Sequence, residues 1–176
     1  MRSGNDCGII WSTVTWLMIG FETLNYKNKF PMSIPIGLKG RADAVVTPQN
    51  TAQAACSGAL PVFGTPYMCA LMEEAAWKSI APCLEEGQGT VGTRLDISHD
   101  SATPVGMKVW AESEVTQVDG KRIVLHVTAY DEKGPIGQGV HERFVIQNER
   151  FVQKAQRKRE ELSHSAGWGD VCKDRD

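Results

Sequence analysis

Residues 65–81 read TPYMCALMEEAAWKSIA, and the fold turns on them. Met68, Leu71, Met72, Ala75, Ser79 and Ile80 recur at the 3.6-residue helical spacing and make a broad apolar face. Cys69, Ala70, Ala76 and Trp77 widen that face, so little of the helix is polar and most of its circumference must be wrapped by something else. Thr65 reads as the N-cap with Pro66 at the first helical position, and Pro82 stops the helix.

Working outward, residues 37–47 (GLKGRADAVVT) read as a first strand. Residues 48–64 (PQNTAQAACSGALPVFG) hold small and turn-forming residues with no sustained period, which predicts a connection carrying a short helical turn. After the loop CLEEGQG the pattern switches to strands. Residues 90–98 (TVGTRLDIS) form one, and 107–118 alternate with Met107, Val109, Ala111, Ser113 and Val115 on one side. Asp119-Gly120 is a strong hairpin turn. Ile123, Leu125, Val127 and Ala129 then share one face of 122–130, Glu132-Lys133-Gly134 turns the chain, and 136–146 is the last strand. The order is strand, long buried helix, then four strands joined largely by short turns, an α+β arrangement. A single apolar helix wrapped by a curved antiparallel meander is the hotdog architecture.

The chain has 176 residues, of which 41% are hydrophobic, enough for one domain with a sizeable core. A formal net charge of −2 and a pI near 6.1 leave no footprint for nucleic acid or an anionic membrane. Five scattered cysteines (Cys7, Cys56, Cys69, Cys83, Cys172) without a C-x-x-C argue for a reducing, cytoplasmic setting rather than a disulfide framework. The four histidines show no metal-ligand spacing, so no metal is expected. Residues 9–21 (IIWSTVTWLMIGF) are apolar but too short to span a bilayer comfortably, and they make a poor signal peptide. Three segments follow: 1–31 as an extension outside the core, 32–148 as the domain, and 149–176 as a charged helix (149–162) with a disordered tail.

The residues able to carry chemistry are few. Glu74 has Lys78 at i+4, the ordinary solvated helix pair. Glu73 has Cys69, Ala70, Ala76 and Trp77 around it and no local cation. Burial there drives a carboxylate toward its neutral form unless a distant charge compensates, which is how general acids and bases are tuned. A helix-edge glutamate reaching water is the plainer alternative. Capping the helix accounts for Thr65 without any chemistry. His99 ends a strand and enters the loop DSATPVG, where functional residues sit on rigid scaffolds, although strand-end histidines are commonly structural. Gly92 interrupts a strand, the mark of a bulge or a close approach. His141-Glu142-Arg143 lies in an alternating strand and reads as cross-strand ion pairing. No G-x-S-x-G elbow, no G-x-G-x-x-G following a strand and no Walker A sequence occurs, so an α/β-hydrolase is excluded and no nucleotide cofactor is expected.

The stretch TPYMCALMEEAAWKSIAPCLEEGQGTVGTRLDISHDSATPVG, with VVTP before it and GVHER after it, closely resembles the fluoroacetyl-CoA thioesterase family of hotdog proteins. The resemblance runs from about Leu38 to Val145. It is carried by Thr65 and Glu73 with seven residues between them, by GQGTVGT (87–93) and by HDSATPVG (99–106). It implies hydrolysis of an acyl-CoA thioester, with catalytic roles for Thr65, Glu73 and His99 and a place beside the thioester for Gly92. In such enzymes the carboxylate attacks or activates water, Thr and His position or polarise the reacting groups, and a backbone N–H near the glycine binds the oxyanion. The resemblance also implies a homodimer or a dimer of dimers, its sheets paired edge to edge and its sites at the interface.

One departure bears on the substrate. The fluoroacetate-specific member is expected to carry aromatic residues before the threonine, whereas CSGALPVFG supplies only Phe63, a substrate-lining candidate. A generic short or medium acyl-CoA is therefore the expected substrate. Two other functions fit the fold: an acyl-CoA hydratase or dehydratase using Asp96 and His99, and a non-catalytic acyl-CoA-binding protein.

Overall fold

Ile123, Leu125, Val127 and Ala129 alternate along one strand, and all four are fully buried. The computed structural model containing them describes residues 33–165, in the order β1 (Lys39–Val45), α1 (Thr65–Ile80), β2 (Gln88–Ile97), β3 (Lys108–Asp119), β4 (Arg122–Asp131), β5 (Gly134–Gln147) and α2 (Asn148–Ser165). Single 3-10 turns occupy Pro48–Asn50 and Ala81–Cys83. The readings of residues 1–31 and of the end of the tail fall outside the described residues. The charged C-terminal helix extends to Ser165, past the expected end at 162.

All strand pairs are antiparallel, in the order β1-β3-β4-β5-β2. The expected meander holds only for β3, β4 and β5. Asp119-Gly120 makes the first hairpin, with Gly120 at φ 56°, and β5 begins at Gly134, two residues earlier than expected. β2 does not pair with β3: it lies beyond β5, and residues 98–107 carry the chain back across the sheet. Ten extended residues reach about 33 Å, which suffices for that crossing. The crossing loop holds His99.

α1 lies on the concave face, mainly against β1 and β3, and buries Met68, Leu71, Met72, Ala75, Ala76 and Ile80. The contact with β1 is so close that a Cβ on Gly40 would collide with the Ala75 carbonyl and with Ser79. Gly40 is what lets the helix settle on that strand. The complete wrapping expected of this helix is not delivered within one chain. Ala70 is exposed, Trp77 is 44% exposed, and Cys69 and Glu73 are half-buried, because five strands curl around only one side of α1. Among the described residues no helix is long and apolar enough to cross a membrane.

Candidate active site

The assignment of Thr65 as N-cap is corrected by the backbone. Gly64 is the cap, at φ −81° and ψ 135°, and its carbonyl accepts from the N–H groups of Tyr67 (2.9 Å) and Met68 (3.0 Å). Thr65 is the first helical residue, so its hydroxyl is not spent on the helix end. It lies 2.8 Å from His99 Nδ1 instead. An extended Gly64 can enter the helix without a side-chain cap because glycine is itself a tolerated cap.

Backbone hydrogen bonds fix that pair from both sides. Asp100 N–H donates to the Ile136 carbonyl and Ser98 N–H to the Gln138 carbonyl, each at 2.8 Å, which holds the His99 segment to β5. Phe63 N–H donates to the Thr103 carbonyl at 2.8 Å, and Val62 bridges to Pro104, so the entry to α1 and the His99 loop run antiparallel. Thr103 is fully buried, and its hydroxyl donates to Asp131 Oδ2 at 2.8 Å while Lys133 N–H donates to Oδ1, also at 2.8 Å. Both Asp131 oxygens are thereby satisfied, the condition for burying a carboxylate. A pocket of about 470 Å³ opens over this junction, lined by Phe63, Thr65, Cys69, His99 and Ala102 among others. Phe63 is 2% exposed and forms its floor. Cys69 lies one turn after Thr65, and burial together with the nearby Glu73 charge pushes its thiol pKa up, away from the reactive thiolate.

Glu73 lies eight residues beyond Thr65 on a continuous helix, about 12 Å further along its axis. Its carboxylate faces Gly92, where a Cβ would stand 2.7 Å from Oε1. The β2–β5 register slips between Gly92 and Arg94, so Gly92 is both a bulge and a close approach. Any side chain there would displace the Glu73 carboxylate.

Behind Gly92 lie two residues that sequence reasoning misassigned. Of His141-Glu142-Arg143, only Glu142 makes the expected cross-strand pair, with Arg122 at 2.7 Å. The alternation of β5 turns His141 and Arg143 inward, where they are 0% and 5% exposed. Arg143 donates to the Thr90 hydroxyl (2.9 Å), to the Thr90 carbonyl (2.8 Å) and to His141 Nε2 (3.0 Å). With Nε2 accepting, His141 Nδ1–H donates to the Arg94 carbonyl at 2.9 Å, which defines a neutral tautomer. Burial lowers the His141 pKa; the Arg94 carbonyl opposes this, Arg143 adds to it and Glu73 opposes it. The 3.9 Å approach of Glu73 Oε1 to His141 Nε2 is therefore not an ion pair. Burial also lowers the Arg143 pKa and the Glu73 charge opposes that, yet a guanidinium stays protonated. Arg143 is thus a buried cation that interacts electrostatically with Glu73, which has no cation three or four residues away on α1. The available signal was the period of two, which places 141 and 143 opposite Glu142 and Phe144.

A depressed histidine pKa carries a sign for stability. The folded state resists protonating His141 while the unfolded chain takes up the proton near pH 6.5, so stability is full above that pH and falls as pH drops toward the folded-state pKa. Denaturant midpoints measured across this window should show that slope. His141→Gln should flatten it while lowering stability at every pH, because a buried hydrogen-bonded ring is lost.

The structure thus gathers Thr65, His99 and Phe63 at one end of α1, and Glu73, Gly92, His141 and Arg143 two turns away. Among the described residues no group of three or more His, Cys, Asp or Glu side chains comes together as a metal site would require. Known proteins share this framework. A structure of the fluoroacetyl-CoA thioesterase FlK superposes with a TM-score of 0.68 at 36% identity, covering 72% of this chain and 98% of FlK. A Thermus thermophilus thioesterase superfamily member gives a TM-score of 0.70 at 30% identity, covering 75% of this chain and 98% of its own. The fluoroacetyl-CoA thioesterase of Streptantibioticus cattleyicolor is 42% identical over 97 residues, 55% of this chain and 70% of that protein. The model of the fluoroacetyl-CoA-specific thioesterase family matches residues 46–149, a span that holds α1, the Gly92 strand, the His99 loop and the buried Arg143 together, and the chain belongs to that family.

Proposed function

We propose that this protein hydrolyses a short or medium acyl-CoA to the free acid and CoA, with Glu73, Thr65 and His99 at the reacting centre. The observation that supports this most directly is the close approach of the Glu73 carboxylate to a glycine backbone, opposed by a buried guanidinium. A carboxylate in that position serves as nucleophile or general base toward a thioester carbonyl. Backbone N–H groups beside Gly92 receive the oxyanion. The Thr65–His99 pair, joined at 2.8 Å, positions the carbonyl and the leaving sulfur. Water adds at the carbonyl carbon, the C–S bond breaks, and the CoA thiolate leaves and takes up a proton.

The catalytic unit is residues 32–148, with 1–31 dispensable, in a cytoplasmic homodimer or dimer of dimers. β2 is a ten-residue edge strand whose outer side has no partner among the described residues, and Ala70 and Trp77 of α1 are exposed. Pairing two such edges removes the exposed ladder and covers the bare side of each helix. Because α1 runs unbroken from Thr65, the site that follows is composite, with Glu73 and Gly92 of one subunit facing Thr65 and His99 of the other.

A thiol-release panel over acyl chain lengths, with fluoroacetyl-CoA included and crotonyl-CoA hydration followed in parallel, is the test. CoA release from short or medium chains is expected. Hydration without release would assign the fold to a hydratase, and binding without either would make it a carrier. Phe63 as the sole aromatic of the stretch 56–64 just before Thr65 favours a broad acyl preference over a fluoroacetyl one.

A further inference from the structure

The inward face of β4 reads Ile123, Leu125, Val127, Ala129 and then Asp131, each buried, so the alternation that builds the core ends on a carboxylate. None of the ion pairs among the described residues includes Asp131. Its partners are the Lys133 N–H at Oδ1 and the Thr103 hydroxyl at Oδ2. The first closes the β4–β5 turn, as an aspartate side chain bonding its own backbone two residues on commonly does. The second reaches 28 residues back, into the loop that carries His99.

Thr103 is the single buried residue of 101–106. Asp131 holds its side chain while its carbonyl accepts from Phe63 N–H at 2.8 Å. Phe63 precedes Thr65 by two residues, and His99 precedes Thr103 by four. Together with the 2.8 Å contact between Thr65 Oγ1 and His99 Nδ1, these links close a circuit through 63–65 and 99–103. The backbone pins the circuit to β5 at the Ile136 carbonyl, which accepts from Asp100 N–H (2.8 Å) and Ser101 N–H (3.3 Å). Among the described residues, the Thr103–Asp131 bond is the one side-chain hydrogen bond that ties the circuit to the sheet.

An apolar side chain at 131 would continue the core without burying a charge. The carboxylate gives a directional bond instead, and a carboxylate acceptor holds a hydroxyl about twice as strongly as a neutral one. Holding the Thr103 side chain also fixes the carbonyl that Phe63 binds, and with it the entry to α1. Neither Thr103 nor Asp131 lines the pocket over Thr65 and His99, so any effect on turnover passes through that pair.

We propose that Asp131, acting through Thr103, is a positioning residue for the Thr65–His99 pair, setting how deep the loop sits on the sheet and so how the hydroxyl meets the imidazole. The assignment rests on the reading of that pair as part of the reacting centre.

The test uses the full-length protein and an acyl-CoA that the wild type hydrolyses. Thr103→Val keeps the shape of the side chain and removes its hydroxyl. Because that leaves a buried carboxylate oxygen without its partner, the paired variant Thr103→Val, Asp131→Leu is run beside it. There both partners are apolar, and Lys133, which is exposed, turns its N–H to water. Misplacing a reacting group by about 1 Å costs about a hundredfold, so a loosened pair should lower kcat per folded molecule about tenfold in both variants, with KM within about twofold. Thr103→Ser keeps the donor and should restore about half or more of the wild-type kcat. Introduced into His99→Ala, Thr103→Val should lower kcat no further, because effects that act through one contact do not add. A bond that acts elsewhere in the fold lowers kcat by the same factor in either background. That equal factor, or a wild-type kcat in a folded variant lacking the bond, overturns the positioning role. The nitrogen-15 ring signals of His99 read the contact without turnover. In both variants they should move toward their positions in Thr65→Val, and signals left at the wild-type positions overturn the proposal. A wild type that hydrolyses no acyl-CoA would defeat the thioesterase reading and leave this readout in force.

Discussion

Glu73→Gln should lower kcat by about a hundredfold or more, roughly 3 kcal/mol in barrier, while the folded fraction and acyl-CoA affinity change little. The substitution is near-isosteric at a side chain that is 45% exposed, so packing is preserved. What it removes is the charge and the lone pairs that act on the thioester. It also removes the carboxylate that opposes the buried Arg143 guanidinium, so a fall of a few degrees in Tm accompanies the loss of turnover. Measuring kcat at saturating substrate, corrected for folded fraction by circular dichroism, separates the two effects. Turnover near the wild-type rate would remove Glu73 from the chemistry and leave it as a counter-charge to Arg143.

Mixing separately inactive Thr65→Val and Glu73→Gln proteins under subunit exchange should restore about a quarter of wild-type activity. Random exchange makes half of the dimers mixed, and each mixed dimer holds one intact site of two when Thr65 and Glu73 come from different chains. The motive is geometric. Thr65 is already inside α1 and bonded to His99 of its own chain, and the helix runs without interruption to Glu73, about 12 Å along its axis. Side chains so spaced on one straight helix do not converge on a single carbonyl, whereas two antiparallel edges bring the ends of neighbouring helices together. Exchange is verified independently by mass-tagging one parent. No recovery despite exchange would place both residues of each site in one subunit.

Much of the architecture was legible in the chain because it rests on short-range periodicity. The alternation of Val109, Ala111, Ser113 and Val115, the Asp119-Gly120 turn and the Met68–Ile80 stripe each encode which face is buried, and all three stand in the structure. The strand order was not legible. Nothing local in residues 98–107 states that the loop crosses the sheet, since strand neighbours are chosen by which edges remain free once β3, β4 and β5 have paired.

The site divides along the same line. Sequence by itself singled out Thr65, Glu73, Gly92 and His99 through residue type, spacing and family resemblance, and it showed that Glu73 has no cation three or four residues away on its helix. Only the tertiary structure decided what surrounds them. Freeing the Thr65 hydroxyl for His99 depends on the extended backbone of Gly64, and placing Arg143 and His141 behind Glu73 depends on a β5 register set fifty residues away from β2. Compensation of a buried charge is a through-space effect, and the groups that provide it are adjacent in the fold while remaining distant along the chain.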